Sequence, residues 1–186
     1  MLTAESQWVA LYTNPRAEKK VEQLLAENGY ETYLPLRREL HTWSDRKKWV
    51  ETPLLKSYIF VKITKTDEIK VREITGVVCI IKFGNDVAII PEYQIQMMKD
   101  FLAAEVAVQV RNAEQLKRGR WVRINSGSLT GRVGMLVSDC EEGNFAVEIT
   151  GISMAMVIHV DQEMLEPAAD YETPEKTVTK KQYNIR

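Results

Sequence analysis

The chain has 186 residues, a hydrophobic content of 45% and a net charge of −1. This length allows one domain or two small ones, and the composition is sufficient for packed cores. There is no apolar run of membrane-spanning length, and the first residues lack the basic and apolar regions of a secretory signal. The sequence therefore predicts a soluble cytoplasmic protein with no membrane partner. Its near-neutral charge argues against a broad basic face that holds nucleic acid.

The first hundred residues alternate between strand-like and helix-like segments. Apolar runs rich in β-branched and aromatic residues predict strands over 8–12, 30–36, 56–63 and 77–84. Helical spacing and end signals predict helices over 14–29, 66–76 and 91–105. The order β-α-β-β-α-β-α indicates an α+β domain, in which helices cover a small antiparallel sheet of the ferredoxin-like or RNA-recognition kind.

A polar segment, RRELHTWSDRKKWVETP, separates the second and third strands and predicts a protruding hairpin. From Arg37 to Lys48 it carries five Lys or Arg residues against two acids, with tryptophans among them. Cations on phosphates and indoles on bases are a common way to bind nucleic acid, and a solvated hairpin without a ligand is the alternative. The candidate nucleic-acid-binding residues are Arg37, Trp43, Arg46, Lys47 and Lys48.

The C-terminal part has a different pattern. Residues 106–116 are interpreted as a linker, and four short strand-like runs follow: RWVRIN, RVGMLVSD, FAVEIT and AMVIHV. Glycine-rich or acidic turns separate these runs, which predicts a small β-barrel over 117–168 and a flexible tail over 169–186. Residues 105–168 hold 6 basic and 9 acidic groups, whereas residues 1–104 hold 15 and 14. A barrel with a net charge of −3 is a poor general RNA binder.

Three glycines interrupt the strand-like stretch NSGSLTGRVGMLV in this part of the chain. Repeated glycine at short spacing indicates backbone with positive φ or backbone that lies close to another segment. The longer stretch LKRGRWVRINSGSLTGRVGML resembles a KOW motif, the strand-loop-strand element of small SH3-like barrels. In that motif one glycine closes the loop and another allows close strand packing, and Gly127 and Gly131 match these places.

The segments before the barrel make the resemblance more specific. WVALYTNPRAEKKVEQLLAENGYETYLPL, followed by PLLKSYIFVKI and TGVVCIIKFG, resembles the N-terminal (NGN) domain of NusG transcription factors. The resemblance covers residues 6 to 168 and implies an NGN domain over 6–105 that binds RNA polymerase, followed by the linker and a KOW barrel. WSDRKKWVETPLLKSYIFV is most similar to UpxY-type paralogues, antitermination factors of polysaccharide operons in Bacteroides-like bacteria.

The resemblance also implies where polymerase binds. In NusG-like proteins an apolar, aromatic cavity of the N-terminal domain contacts the clamp helices of the largest polymerase subunit. The chain shows LKSY where family members often show Phe-Pro-Gly-Tyr, so Lys56 and Ser57 depart from the pattern. Strand alternation places Ile59, Val61 and Ile63 in the core; the alternative for the other face is that it too is core. The residues that match the cavity are Tyr12, Pro53, Leu55, Tyr58 and Phe60.

Two further contacts follow from the resemblance. Specialised paralogues touch the gate loop of the second large polymerase subunit, here through Thr66, Asp67 and Glu68, although helix capping explains these residues equally directly. The barrel is implied to bind a small-subunit ribosomal protein or the termination factor Rho, through residues such as Phe145, Ile152 and Met154. Barrel strand residues of this kind are commonly core.

Nothing in the sequence supports an enzyme. GSLTGR lacks the glycine spacing and the lysine of a phosphate-binding loop, and the two histidines, His41 and His159, fall in different predicted domains. No catalytic residue, metal site or cofactor is predicted. The sequence predicts an elongation or antitermination factor that binds the two largest polymerase subunits and contacts upstream or non-template DNA. The alternatives are a general NusG and a KOW-containing RNA-binding or ribosome-associated protein.

Overall fold

A computed structural model describes residues 2–42, 47–137 and 143–169. Contacts divide the chain into two compact units, Met1–Ile90 and Pro91–Arg186. Because Trp43, Arg46, Cys140 and the predicted tail from residue 170 onward lie outside the described residues, their sequence-based interpretations stay predictions. The division falls fifteen residues before the sequence-based end of the NGN domain at residue 105, which also stays a prediction.

The first unit is an antiparallel sheet with two helices and a separate hairpin, as the sequence predicts. Its elements are β1 (Gln7–Thr13), α1 (Glu18–Glu27), β2 (Glu31–Tyr33), β3 (Leu36–Thr42), β4 (Lys47–Pro53), β5 (Tyr58–Ile63), α2 (Glu68–Arg72), β6 (Val77–Ile80), β7 (Lys82–Phe83), β8 (Asp86–Val87) and β9 (Ile89–Ile90). The strand order is β2-β5-β1-β6, with β9 also paired to β1. The crossover order and the intervening helices confirm the α+β class.

One face of this sheet forms a core with α1. Alternate residues of β1 and β5 point to this face, and they pack with Val21 and Leu25 of the helix. The core members from the strands include Val9, Leu11, Ile59, Val61 and Ile63. The predicted assignment of the three β5 residues to the helix-packed core is therefore confirmed.

Helix α1 is shorter at its start than the sequence predicts. Asn14 and Pro15 lie in a turn rather than in the helix, and Arg16 adopts a left-handed φ of 65°. The Asn14 amide donates to the Gly76 carbonyl at 2.9 Å, so a non-local hydrogen bond competes with helix initiation at Asn14. The predicted stop is confirmed, since Asn28 caps the helix and Gly29 has a φ of 82°.

The second unit combines one helix with a six-stranded antiparallel sheet. Its elements are α3 (Glu92–Ala103), β10 (Gln109–Asn112), β11 (Arg118–Ile124), β12 (Val133–Val137), β13 (Asn144–Ile149), β14 (Met154–His159) and β15 (Leu165–Pro167). The strand order is β10-β14-β13-β12-β11-β15. All four predicted barrel strands are present, at β11 to β14.

The predicted linker differs from the structure. Within residues 106–116, strand β10 pairs with β14 over four positions, from Gln109 opposite Val157 to Asn112 opposite Met154. Val108 and Leu116, which flank the strand, are buried. The alternating valines of EVAVQV favour a strand, but only the pairing with β14, distant in sequence, reveals where that strand lies.

The barrel glycines divide into two physical roles. Gly127 and Gly131 lie in the β11–β12 loop with φ near +82° and +83°, and a Cβ at either would meet no atom within 4 Å. The close approach occurs instead at Gly134, where a Cβ would lie 2.4 Å from Cζ of Phe145. The packing role expected for Gly131 therefore belongs to Gly134, because β12 crosses the fully buried Phe145 ring there.

Helix α3 packs on the barrel within the second unit. The Phe101 and Phe145 rings meet edge to face at 6.2 Å, and the Gln94 side-chain amide exchanges two hydrogen bonds with Thr150. Arg132 lies 2.7 Å from Asp100. The helix therefore covers β13 with apolar, amide and ionic contacts.

The barrel is expected to fold as a β protein when isolated. A fragment of residues 106–169 retains β10 and should show a β-type circular dichroism spectrum with cooperative melting. A fragment of residues 115–169 should melt at a lower temperature, because it loses the edge-strand hydrogen bonds and the buried Val108. A helical spectrum from either fragment would contradict the fold assigned to this segment.

In the described part of the chain, no helix is both long and apolar enough to cross a bilayer.

Candidate functional site

The candidate site centres on two aromatic residues that face each other across the central strands of the first unit. Tyr12 of β1 pairs in register with Tyr58 of β5, and their rings pack edge to face with centroids 5.3 Å apart. Both side chains are half-buried. A register shift between Tyr12 and Thr13 in the pairing with β6 locally changes the direction of β1. We call Tyr12 and Tyr58 the tyrosine pair.

The other residues predicted for this surface differ in exposure. Pro53, at the end of β4, is partly exposed. Leu55 and Phe60 are fully buried, and the Phe60 ring stacks on Tyr33 at 6.3 Å. Both apolar side chains therefore serve packing in this structure, and the surface accessible to a partner is formed by Tyr12, Tyr58 and Pro53.

Ser57 holds the turn that presents Tyr58. Its φ of 63° lies in the left-handed region, which costs a residue with a Cβ about 1–2 kcal/mol relative to the right-handed helix region. This is the place where family members often have glycine, so the serine keeps the backbone conformation that glycine adopts more readily. The Ser57 carbonyl accepts a hydrogen bond from the Thr13 amide at 2.9 Å, which ties the turn to β1.

The β3–β4 hairpin separates its charges between two faces. Its register runs from Leu36 opposite Pro53 to Thr42 opposite Lys47, so alternate pairs lie on opposite faces. Arg37 forms an ion pair with Glu39 on one face. Lys48 lies on that face and Lys47 on the other, and both are exposed.

An aromatic residue lies among the cations of the second hairpin face. Trp49 is 58% exposed and pairs with the exposed Leu40. The guanidinium carbon of Arg38 is 5.7 Å from the centroid of its indole ring. Because the neighbouring Lys47 shares this face, an exposed ring and two cations lie together, an arrangement that suits stacked bases and their phosphates.

Comparison with known proteins identifies the first unit. A sequence model of a protein family described as "Transcription termination factor nusG" matches residues 6–99, just over half of the chain. The chain belongs to the NusG family. NusG-family proteins are transcription factors that interact with RNA polymerase. The match includes both tyrosines and the whole β3–β4 hairpin.

A solved structure of NusG from Thermotoga maritima, whose subject is domain interaction, is also similar to this chain. The two are 20% identical, with a TM-score of 0.49 and coverage of 88% of this chain and 97% of the other. No curated protein matches the chain.

The NusG residues predicted to touch the polymerase gate loop are engaged in local structure here. Oδ2 of Asp67 accepts hydrogen bonds from the backbone amide and the hydroxyl of Thr64, at 3.0 and 2.6 Å. These bonds lower the pKa of the Asp67 carboxyl. Glu68 pairs with Arg72 and Lys82, whereas Thr66 is exposed. Capping therefore accounts for Asp67, and its partner is Thr64 rather than Thr66.

The candidate protein-binding residues of the NusG barrel are mostly inside it. Phe145 and Ile152 are buried, and Met154 is half-buried. Among the described residues, no cluster of three His, Cys, Asp or Glu side chains is arranged to hold a metal ion. Cys79 is a free thiol whose pKa is raised by burial, and His159 is exposed at the end of β14.

Sequence reasoning missed two residues of this region. Trp49 was noticed only as part of a basic segment, although its alternation with Lys47 would have placed both on one hairpin face. Glu18 gave no signal, because a glutamate in the first turn of a helix ordinarily favours the helix dipole and faces water. In this structure Glu18 is buried.

Proposed function

We propose that this chain is a specialised NusG paralogue that binds the clamp helices of the largest RNA polymerase subunit through the tyrosine pair. The observation that carries the proposal is the tyrosine pair itself, at the positions that match the family cavity. Partly exposed aromatic groups with a packed apolar base are typical of residues that dominate interface energy. Leu55 and Phe60 supply that base from the buried side.

Binding to the clamp would suppress pausing or termination without chemistry of its own. A factor that binds one conformation of polymerase more tightly shifts the population toward that conformation by its difference in affinity. The gate-loop contact stays a prediction for Thr66, the exposed member of that group. The barrel would bind a second protein, a small-subunit ribosomal protein or Rho, because its net charge of −3 disfavours RNA.

We further propose that the chain acts on one long, polysaccharide-type operon. The support is the similarity of residues 43–61 to UpxY-type paralogues. Chromatin profiling of the tagged protein tests this directly: signal along one long operon is expected. Signal on nearly all transcribed genes would instead indicate a general NusG, and sedimentation with ribosomes rather than polymerase would indicate the ribosome-associated alternative.

The β3–β4 hairpin is proposed to contact upstream or non-template DNA in the transcription complex. Replacing Arg46, Lys47 and Lys48 by alanine should weaken binding of the protein to a single-stranded oligonucleotide. The slope of log affinity against log salt should fall by about 2 to 3 units, because each phosphate contact releases close to one counterion. Fluorescence anisotropy of a labelled oligonucleotide over a salt series measures both quantities.

The matched control removes three exposed lysines from other surfaces of the same unit, Lys20, Lys65 and Lys70. It makes the same change in net charge and should leave the slope nearly unchanged. Equal slopes for the wild type and the hairpin variant would show that the hairpin is solvated and holds no phosphate.

A further inference from the structure

A buried carboxylate lies directly behind the turn that presents Tyr58. Glu18, the first residue of α1, is 5% exposed, and Ser57 is 8% exposed. Oε1 of Glu18 accepts a hydrogen bond from the Ser57 backbone amide at 2.7 Å. A carboxylate in this position is unusual, because glutamate is almost never buried without a partner that satisfies it.

Both backbone groups of Ser57 are fixed by other elements. The amide is bonded to Glu18 at the start of α1, and the carbonyl to Thr13 at the end of β1. The Tyr58 amide closes the turn onto Leu55 at 3.3 Å. The left-handed conformation of Ser57 is therefore held by a helix on one side and a strand on the other.

We propose that Glu18 is a positioning residue for the polymerase-binding surface, whose carboxylate keeps Ser57 in the left-handed turn and thereby holds Tyr58 against Tyr12. This inference rests on the proposed binding role of the tyrosine pair. Hydrogen bonds from a backbone amide to a carboxylate are stronger than neutral ones, and a buried amide without an acceptor is costly. Without Glu18, the turn loses the bond that offsets the strain of a serine with positive φ.

The hydrogen bond makes a specific prediction about side-chain length and charge. Glu18→Gln keeps an oxygen at the same reach and should bind polymerase within about threefold of the wild type. Glu18→Asp keeps the charge but is one methylene too short, and Glu18→Ala removes the acceptor. Both should weaken polymerase binding about tenfold.

Rescue at Ser57 separates positioning from a general loss of structure. Glycine enters the left-handed region without strain, so the Glu18→Ala, Ser57→Gly double variant should recover binding to within about threefold of the wild type. Val21→Ala is the matched control: Val21 lies on the same helix and is fully buried, but no hydrogen bond joins its side chain to the turn. It should lower the melting temperature and leave polymerase binding unchanged below that temperature.

Amide hydrogen exchange of the full chain gives a readout that does not depend on polymerase. The Ser57 amide should lose protection in Glu18→Ala and Glu18→Asp but keep it in Glu18→Gln and Val21→Ala. If Glu18→Ala does not fold, the comparison of the Gln and Asp variants decides the question. Wild-type protection of Ser57 in the Asp variant, or equal polymerase binding by the Gln and Asp variants, would overturn the proposal.

The two proposals fail in different ways. If Tyr12 and Tyr58 can be replaced without loss of polymerase binding, the proposed function is wrong, whatever the Ser57 amide shows. If replacing the tyrosines abolishes binding while Glu18→Asp and Glu18→Ala bind as tightly as the wild type, the function stands and the positioning role of Glu18 is wrong.

Discussion

Replacing Tyr12 and Tyr58 together by alanine is expected to abolish association with RNA polymerase. Each aromatic residue at the centre of such an interface contributes roughly 2 kcal/mol or more, so the pair accounts for about 4 kcal/mol, about a thousandfold in affinity. Both rings are only half-buried, and their mutual contact contributes about 1 kcal/mol to stability. Affinity co-purification with polymerase and thermal melting of the same variant measure the two effects.

Two control variants show whether the effect belongs to the tyrosine pair. Tyr30, a half-buried tyrosine of the same unit that bonds Asp67, can be replaced by alanine without loss of polymerase binding. Phe60→Ala should instead lower the unfolding free energy by about 3 to 5 kcal/mol, because it empties a fully buried site. If the double tyrosine variant melts like Phe60→Ala, the pair belongs to the core and is not a binding surface.

A second large effect is expected at Gly134 in the barrel. Gly134→Ala would place a Cβ 2.4 Å from Cζ of Phe145 and 2.9 Å from the Ala146 carbonyl oxygen. The ring is fully buried and the carbonyl is backbone, so neither can move freely. Overpacking of this kind costs about 1 to 3 kcal/mol, and Gly134→Val should cost more. Denaturant unfolding followed by circular dichroism measures the loss.

Rescue by a smaller neighbour identifies the cause. Phe145→Leu removes the ring, so Gly134→Ala should cost less in that background than in the wild type, which gives a measurable coupling energy. Gly131→Ala provides the comparison, because its cost arises from a positive φ in open space and should be the same in both backgrounds. Equal costs of Gly134→Ala with and without the ring would contradict a close-packing role for Gly134.

Local patterns in the sequence were sufficient for much of the fold. Alternation along SYIFVKI correctly placed Ile59, Val61 and Ile63 in the helix-packed core, since side chains in a strand point to alternating faces. The same alternation could not show that Phe60 is also fully buried. Alternation defines which face a residue is on, whereas the burial of that face depends on non-local packing.

Other differences have equally specific causes. A glycine-rich stretch does not distinguish a positive φ at Gly131 from close packing at Gly134, because both roles need a missing Cβ. Strand β10 was interpreted as linker because its partner β14 lies more than forty residues away in the sequence. The cap at Thr64 lies two residues before the predicted one, and helix ends are set by local hydrogen bonds that several Ser, Thr and Asp residues can supply.

The site was predictable in part. The resemblance to NusG proteins indicated Tyr12 and Tyr58, and the structure brings them together across β1 and β5. The contact of Glu18 with Ser57 was not predictable, because 39 residues separate the two and neither belongs to a pattern that sequence reasoning uses. Their pairing depends on how α1 packs beside the turn.

Photocrosslinking from the edge of the tyrosine pair tests the central claim most directly. Lys56 is exposed and lies two residues before Tyr58, so a photoreactive amino acid can replace it while both tyrosines remain. In cells, this position should crosslink to the clamp helices of the largest RNA polymerase subunit, and the crosslink should disappear when Tyr12 and Tyr58 are alanine. A crosslink to a ribosomal protein, or one to polymerase that persists without the tyrosines, would contradict the account.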